Sequence, residues 1–125
     1  MTVPVRSIPR RFWCVAAMTL ALPGAVAWAQ DFPARPITLV VPYPPGSATD
    51  ILARLLAPKL SESTKQNVLV ENRGGASTNL GTEYVARATP DGYTVLIQAP
   101  NIATNHFAFK NLRWKRDDFA PVSLL

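Results

Sequence analysis

Tyr43-Pro44-Pro45-Gly46-Ser47-Ala48-Thr49-Asp50 is the stretch of this chain best suited to chemistry. An apolar run ends just before it and apolar residues resume at helical spacing just after it, so the loop joins a strand to a helix. The first turn of a helix carries N–H groups without partners, and the helix dipole adds partial positive charge there. Together these attract an anion, which makes the loop a candidate seat for a carboxylate or a phosphate. Within the loop, Ser47-x-x-Asp50 has the spacing of a capping box. That role accounts for Asp50 as fully as a ligand contact would, and both readings stand.

The remaining reactive side chains support no enzyme. Neither G-x-x-x-x-G-K-[ST] nor G-x-G-x-x-G occurs, and no serine-centred nucleophile elbow follows a strand. His106 is the single histidine, with no cysteine or second histidine to share a metal, and no carboxylate cluster stands in, so neither metal nor cofactor is implied. Arg73, beside Glu71 and ahead of two glycines, reads as a solvated loop charge. Trp114 lies among Lys110, Arg113, Lys115 and Arg116, but Asp117 and Asp118 follow at once. The segment therefore reads as a solvated face with one anchoring aromatic rather than a nucleic-acid patch.

Three loops of one kind recur, each leaving a strand. Ile37 to Val41 is a continuous apolar run, as in a parallel strand covered on both faces. A helix over about Thr49 to Ser61 follows, with Ile51, Leu52, Leu55, Leu56 and Leu60 as its apolar stripe and Arg54 and Lys59 on the other side. Pro58 removes the bond to the Arg54 carbonyl and should bend the last turn. A second strand, Asn67 to Glu71, ends in the glycine-rich loop Asn72 to Asn79, which feeds a helix over about Thr78 to Ala88. Pro90-Asp91-Gly92-Tyr93 is a turn, Thr94 to Gln98 a third strand, and Ala99-Pro100-Asn101 a third loop. Ile102 to Phe109 is compatible with a short helix, Leu112 to Phe119 reads as surface, and Pro121 to Leu125 reads as a strand beginning. The order β-α-β-α-β predicts an α/β fold with a right-handed parallel sheet, whose ligands sit at the carboxyl ends of the strands.

The first 29 residues have the three-part pattern of a secretory signal peptide: Arg6, Arg10 and Arg11, the apolar run Phe12 to Leu22, then Ala27-Trp28-Ala29. That run is 11 residues long, short of the roughly 20 a membrane-spanning helix needs. Cys14 would leave with this leader, which predicts export to the periplasm and a mature protein without cysteine. Three of the 13 Lys and Arg lie in the leader and none of the eight Asp and Glu do, so the mature charge is +2. The basic pI therefore gives little support to nucleic-acid binding. Residues 30–125 suffice for one small core but not for two lobes, and the chain reads as truncated.

The chain resembles the extracytoplasmic solute-binding receptors of tripartite tricarboxylate transporters, the Bug-type receptors. The resemblance covers Phe32 to Ile37, the first loop, Val70 to Ala76, Ala88 to Thr94 and Asp118 to Leu124, in order and at the right spacing. It implies a periplasmic-binding-protein-like (type II) lobe, 30–125 forming most of the first lobe and the second lobe lacking. It further implies a small mono-, di- or tricarboxylate ligand, held largely by backbone N–H groups and bridging waters and passed to integral membrane permease subunits.

By the same resemblance Tyr43 walls the pocket, Pro45 shares its loop, and Gly46 permits close backbone approach. Ser47 and Ala48 offer N–H groups, and Asp50 fixes the helix entrance or meets a ligand donor. Ala76, Ser77, Thr78 and Asn79 occupy the matching place in the second loop, with Gln98, Ala99 and Asn101 reaching in from the third. Many relatives carry glycine where Ser47, Ser77 and Thr78 stand, and the bulkier residues here reshape the pocket or add hydroxyl donors. A truncated relic of such a receptor is the alternative. An α/β nucleotide-binding enzyme fragment is the weaker one, lacking its motifs.

Overall fold

The structure is a computed structural model, and it describes residues 31–125. The leader expected at 1–29, with Cys14, lies outside the described residues. The elements are β1 (Ile37–Val41), α1 (Ala48–Thr64), β2 (Val68–Asn72), α2 (Asn79–Ala86), β3 (Thr94–Leu96) and α3 (Asn101–Ala108), then a 3-10 turn at Arg116–Asp118. All three strands are parallel in the order β2-β1-β3. β1, the most apolar, is central, with Ile37 opposite Val68 and Val41 opposite Asn72 on one side and Thr38 opposite Thr94 on the other.

Alternation along β1 sends its side chains to two faces. Leu39 and Val41 form a core with Ala53 of α1 and Ile97, joined by Tyr43, Leu56, Val68, Val70 and Val95. Val40 and Pro42 face the other way, where α2 packs: Val40, Pro42 and Thr82 are fully buried, and a Cβ at Gly81 would lie 2.7 Å from Pro42 Cβ. Helices on opposite faces with parallel strands between them are the α/β architecture expected from the element order.

The apolar stripe of α1 is oriented differently from the sequence expectation. Ile51, Leu52, Leu55 and Leu60 are exposed, Leu55 to 64 %, and Leu56 alone of the stripe packs on the core. Asp50, Ala53 and Ala57 are the buried residues. Polar ties decide the orientation. Arg54 Nη2 donates to Asn72 Oδ1 at 3.0 Å and Ser61 Oγ accepts the Val68 N–H at 2.9 Å, so the row 50, 54, 57, 61 faces β2. Small Ala57 on that row and Ala53 beside it let the helix approach the sheet closely. The helix also runs on through Pro58 to Thr64 rather than ending near Ser61.

Two smaller expectations change. Pro121 to Leu125 forms no strand and is exposed, since no described strand lies beside it to pair with. The segment before it is surface-lying except at Trp114, 3 % exposed, which packs edge-on against His106 and Phe119. Among the described residues no helix is long and apolar enough to cross a membrane.

Candidate functional site

The first loop leaves β1 through buried Pro42 and turns at Gly46, whose φ of +82° is one that glycine adopts without cost. Ser47 is the N-cap of α1, and its side chain accepts the Asp50 N–H at 3.3 Å. The return half of the expected capping box is displaced: Asp50 Oδ2 accepts the N–H of Gly46, at 2.8 Å, not that of Ser47. The Ser47 N–H is already committed to the Pro44 carbonyl at 3.2 Å. Ser47 therefore does not offer its N–H to a ligand. The N–H groups of Ala48 and Thr49, in the first turn, have no acceptor among the described residues.

Asp50 is 2 % exposed and is the hub of this loop. Besides Gly46 it accepts from Arg54 Nε at 3.0 Å and from Asn72 Nδ2 at 2.8 Å. The Arg54 hydrogen bond, then those from Gly46 and Asn72, lower its pKa from the ordinary 3.8 to about 2. Its carboxylate is thus occupied by protein donors, which favours the helix-entrance role over ligand contact. Asn72 Nδ2 also donates to the Tyr43 carbonyl at 3.2 Å, so the end of β2 is tied to the first loop.

The second loop begins one residue after β2 and runs directly alongside the first. A Cβ on Gly74 would sit 3.4 Å from Pro44 N and Tyr43 C, so glycine lets the two loops touch. Ala76, Ser77 and Thr78 then take φ of 46°, 51° and 75°, three left-handed residues in succession without a glycine. The turn is closed by the Asn79 N–H on the Ala76 carbonyl at 3.1 Å. No described acceptor takes the N–H of Ser77 or Thr78.

A polar network lies beneath that loop. Gln98 Nε2 donates to Thr78 Oγ1 at 2.8 Å, and Thr82 Oγ1 lies 2.9 Å from both the Thr78 carbonyl and Gln98 Oε1, its one proton serving either. Asn79 Oδ1 accepts from Asn105 Nδ2 at 3.0 Å and from Trp114 Nε1 at 3.2 Å. From the third loop, Asn101 Oδ1 accepts the Tyr43 hydroxyl at 2.8 Å. Gln98, Asn79 and Asn101 therefore brace the loops, while Ala76 and Ser77 lie exposed, as do Pro45 and Ala48 at the first. Ala99 is half-buried between Gln98 and Pro100.

Arg73 pairs with Glu71 at 2.6 Å and lies 3.6 Å over the Tyr84 ring, so this loop charge is paired and stacked rather than simply solvated. Among the described residues no three His, Cys, Asp or Glu side chains gather into a metal-binding group. A shallow groove of about 390 Å³ lies elsewhere, between α1 and β2, lined by Arg54, Ala57, Pro58, Ser61 and Val68 to Val70. It contains none of the free loop N–H groups.

Sequence reasoning missed Asn72, Gly81, Thr82 and Asn105. Only Gly81 left a signal, because a glycine inside a helix pattern costs about 1 kcal/mol and asks for a packing reason.

A parallel sheet with helices on both faces and two strand-to-helix loops meeting at one edge is a doubly wound α/β arrangement, whose ligands bind outside the carboxyl ends of the strands. The sequence profile of the tripartite tricarboxylate transporter family receptor matches residues 52–125, and the chain belongs to that family. It is 38% identical over 120 residues to protein BugT of Bordetella pertussis, covering 92% of this chain and 37% of BugT. It is similar to an R. palustris protein solved with adipate, at 42% identity and TM-score 0.66, covering 70% of this chain and 29% of that one. It is also similar to MatC from Rhodopseudomonas palustris with bound malate, at 36% identity and TM-score 0.65, covering 75% and 33%. The chain spans about a third of the length of these relatives. The family is one of solute-binding receptors, not of enzymes.

Proposed function

We propose that this chain is the N-terminal part, most of lobe one, of a periplasmic receptor that binds a small mono-, di- or tricarboxylate and delivers it to the permease subunits of a tripartite transporter. Cleavage of the leader at Ala29 accompanies this reading, with residues 30–125 as the exported part.

One observation carries the proposal. The first and second loops leave adjacent parallel strands at the same edge and touch through Gly74, and each presents N–H groups without acceptors, at Ala48 and Thr49 and at Ser77 and Thr78. The two loops are the entrances of α1 and α2, and a helix N-terminus contributes about 0.3–1 kcal/mol to an exposed anion and more when shielded. A carboxylate has two oxygens and accepts several N–H groups, which matches this divided donor set. The adipate and malate bound by the two solved relatives are carboxylates of that size class.

Calorimetric titration of a full-length receptor carrying residues 31–125 with acetate, malate, adipate and citrate, and with glucose and ATP as contrasts, tests it. Heat with at least one acid and none with the contrasts is the expected result. Binding of glucose or ATP with no response to any acid would overturn the proposal.

A further inference from the structure

The three left-handed residues of the second loop require an explanation. Outside glycine this conformation is strained, and a run of it persists only where the surroundings enforce it. The enforcing group comes from α3. Asn105 is 4 % exposed, and its Nδ2 lies 2.9 Å from the Ser77 carbonyl, 3.3 Å from Thr78 Oγ1 and 3.0 Å from Asn79 Oδ1. With its two protons the buried amide serves the Ser77 carbonyl and Asn79 Oδ1, the shorter contacts, and has Thr78 Oγ1 within reach between them.

We infer that Asn105 is a positioning residue for the carboxylate seat, holding Ser77 and Thr78 left-handed so that their N–H groups stay free of intrachain acceptors. The inference rests on the proposed carboxylate reading of these loops. Asn105 is separated from the first loop's donors, which depend on Asp50, Gly46 and Ser47 instead. Its removal should therefore act on one loop only. The Ser77 carbonyl would lose its donor, and the backbone there would relax toward the right-handed region, reorienting the peptide planes that carry the N–H groups. Glycine at 77 and 78 would remove the penalty that makes Asn105 necessary.

The test is amide-resolved NMR of the same full-length receptor carrying residues 31–125, titrated with acetate, malate, adipate and citrate. In the wild type the Ala48, Thr49, Ser77 and Thr78 amides should shift, and Ser77 and Thr78 should show the intense intraresidue Hα–HN cross-peak that marks positive φ. In Asn105→Ala the Ser77 and Thr78 amides should lose both the titration and the cross-peak, while Ala48 and Thr49 keep their response. Adding Ser77→Gly and Thr78→Gly should restore the titration at positions 77 and 78, which replacement of a mere packing residue would not do. Unchanged Ser77 and Thr78 signals in Asn105→Ala, or equal loss at both loops, would overturn the inference with the carboxylate reading intact. A wild type silent at all four amides would overturn the carboxylate reading itself and the inference with it.

Discussion

Asp50 Oδ2 and the Gly46 N–H, 2.8 Å apart, close the first loop on itself four residues along the chain. The carboxylate must be ionised to accept this bond together with those from Arg54 and Asn72. Because these partners lower its pKa from 3.8 to about 2, the unfolded chain binds the proton more readily than the folded one. The contribution to stability is therefore fully present above pH 3.8 and is lost as the pH falls toward 2. Urea denaturation across this window should show stability falling with acidification, and Asp50→Asn should flatten that slope. The Gly46 amide shift should titrate with a midpoint near 2. A midpoint at the ordinary 3.8 would show that the carboxylate does not hold the loop.

Gly81 is the point at which α2 meets β1. A Cβ there would fall 2.7 Å from the Arg73 carbonyl oxygen, a backbone atom, and 2.7 Å from Pro42 Cβ, which the proline ring holds in place, so neither is a movable side-chain tip. Alanine improves helix propensity by about 0.8–1 kcal/mol, but overpacking a tight contact costs about 1–3 kcal/mol. Gly81→Ala should lower the free energy of unfolding by about 1 kcal/mol, read from the urea midpoint at unchanged slope. A gain in stability would place α2 farther from the sheet than this contact allows.

The strands were legible because apolar runs bounded by glycine and proline leave few alternatives: β1 matches its expected limits, β2 is displaced by one residue, and β3 stops at Leu96, two residues short of the expected Gln98. The two loops were legible as helix entrances for the same reason. The inward face of α1 was not legible. Its leucines form the stronger periodic signal, yet Ala53 and Ala57 face the sheet because Asp50, Arg54 and Ser61 are tied to β2 and its neighbours by hydrogen bonds. Periodicity records where apolar residues cluster and carries no information about such ties. The brace from Asn105 was hidden similarly, since an asparagine in a short helix reads as a surface residue until the loop 26 to 28 residues earlier is brought against it.

That reversal of α1 is open to direct measurement. Ala53 is fully buried against Leu39 and Val41, whereas Leu55 is 64 % exposed. Ala53→Leu should destabilise the chain by about 1–3 kcal/mol through overpacking. Leu55→Lys should alter stability by no more than about 0.5 kcal/mol, as exposed substitutions do. Chemical denaturation of the two variants decides between the faces. If Leu55→Lys proved the costlier change, the leucine stripe would be the buried one.

The donor set of the first loop can be edited without disturbing its fold. Ala48 is the first residue of α1, where a helix tolerates proline because the N–H lost there has no helical partner. The preceding residue, Ser47, has φ −68° and ψ 160°, the extended conformation that a following proline requires. Ala48→Pro therefore deletes one N–H from the proposed seat and leaves the cap at Ser47 and the Asp50 hub in place. Gly46→Val would be less informative: nothing lies within 4 Å of a Cβ there, but its φ of +82° would strain any side-chain-bearing residue. A hydrogen bond to a charged acceptor is worth about 1.5–3 kcal/mol, so affinity for the responding carboxylate should fall by about ten- to a hundredfold at an unchanged melting temperature. Calorimetry and thermal denaturation of the same full-length receptor samples give both readouts. Unchanged affinity in a variant that melts normally would remove Ala48 from the seat and leave Thr49 and the second loop as its donors.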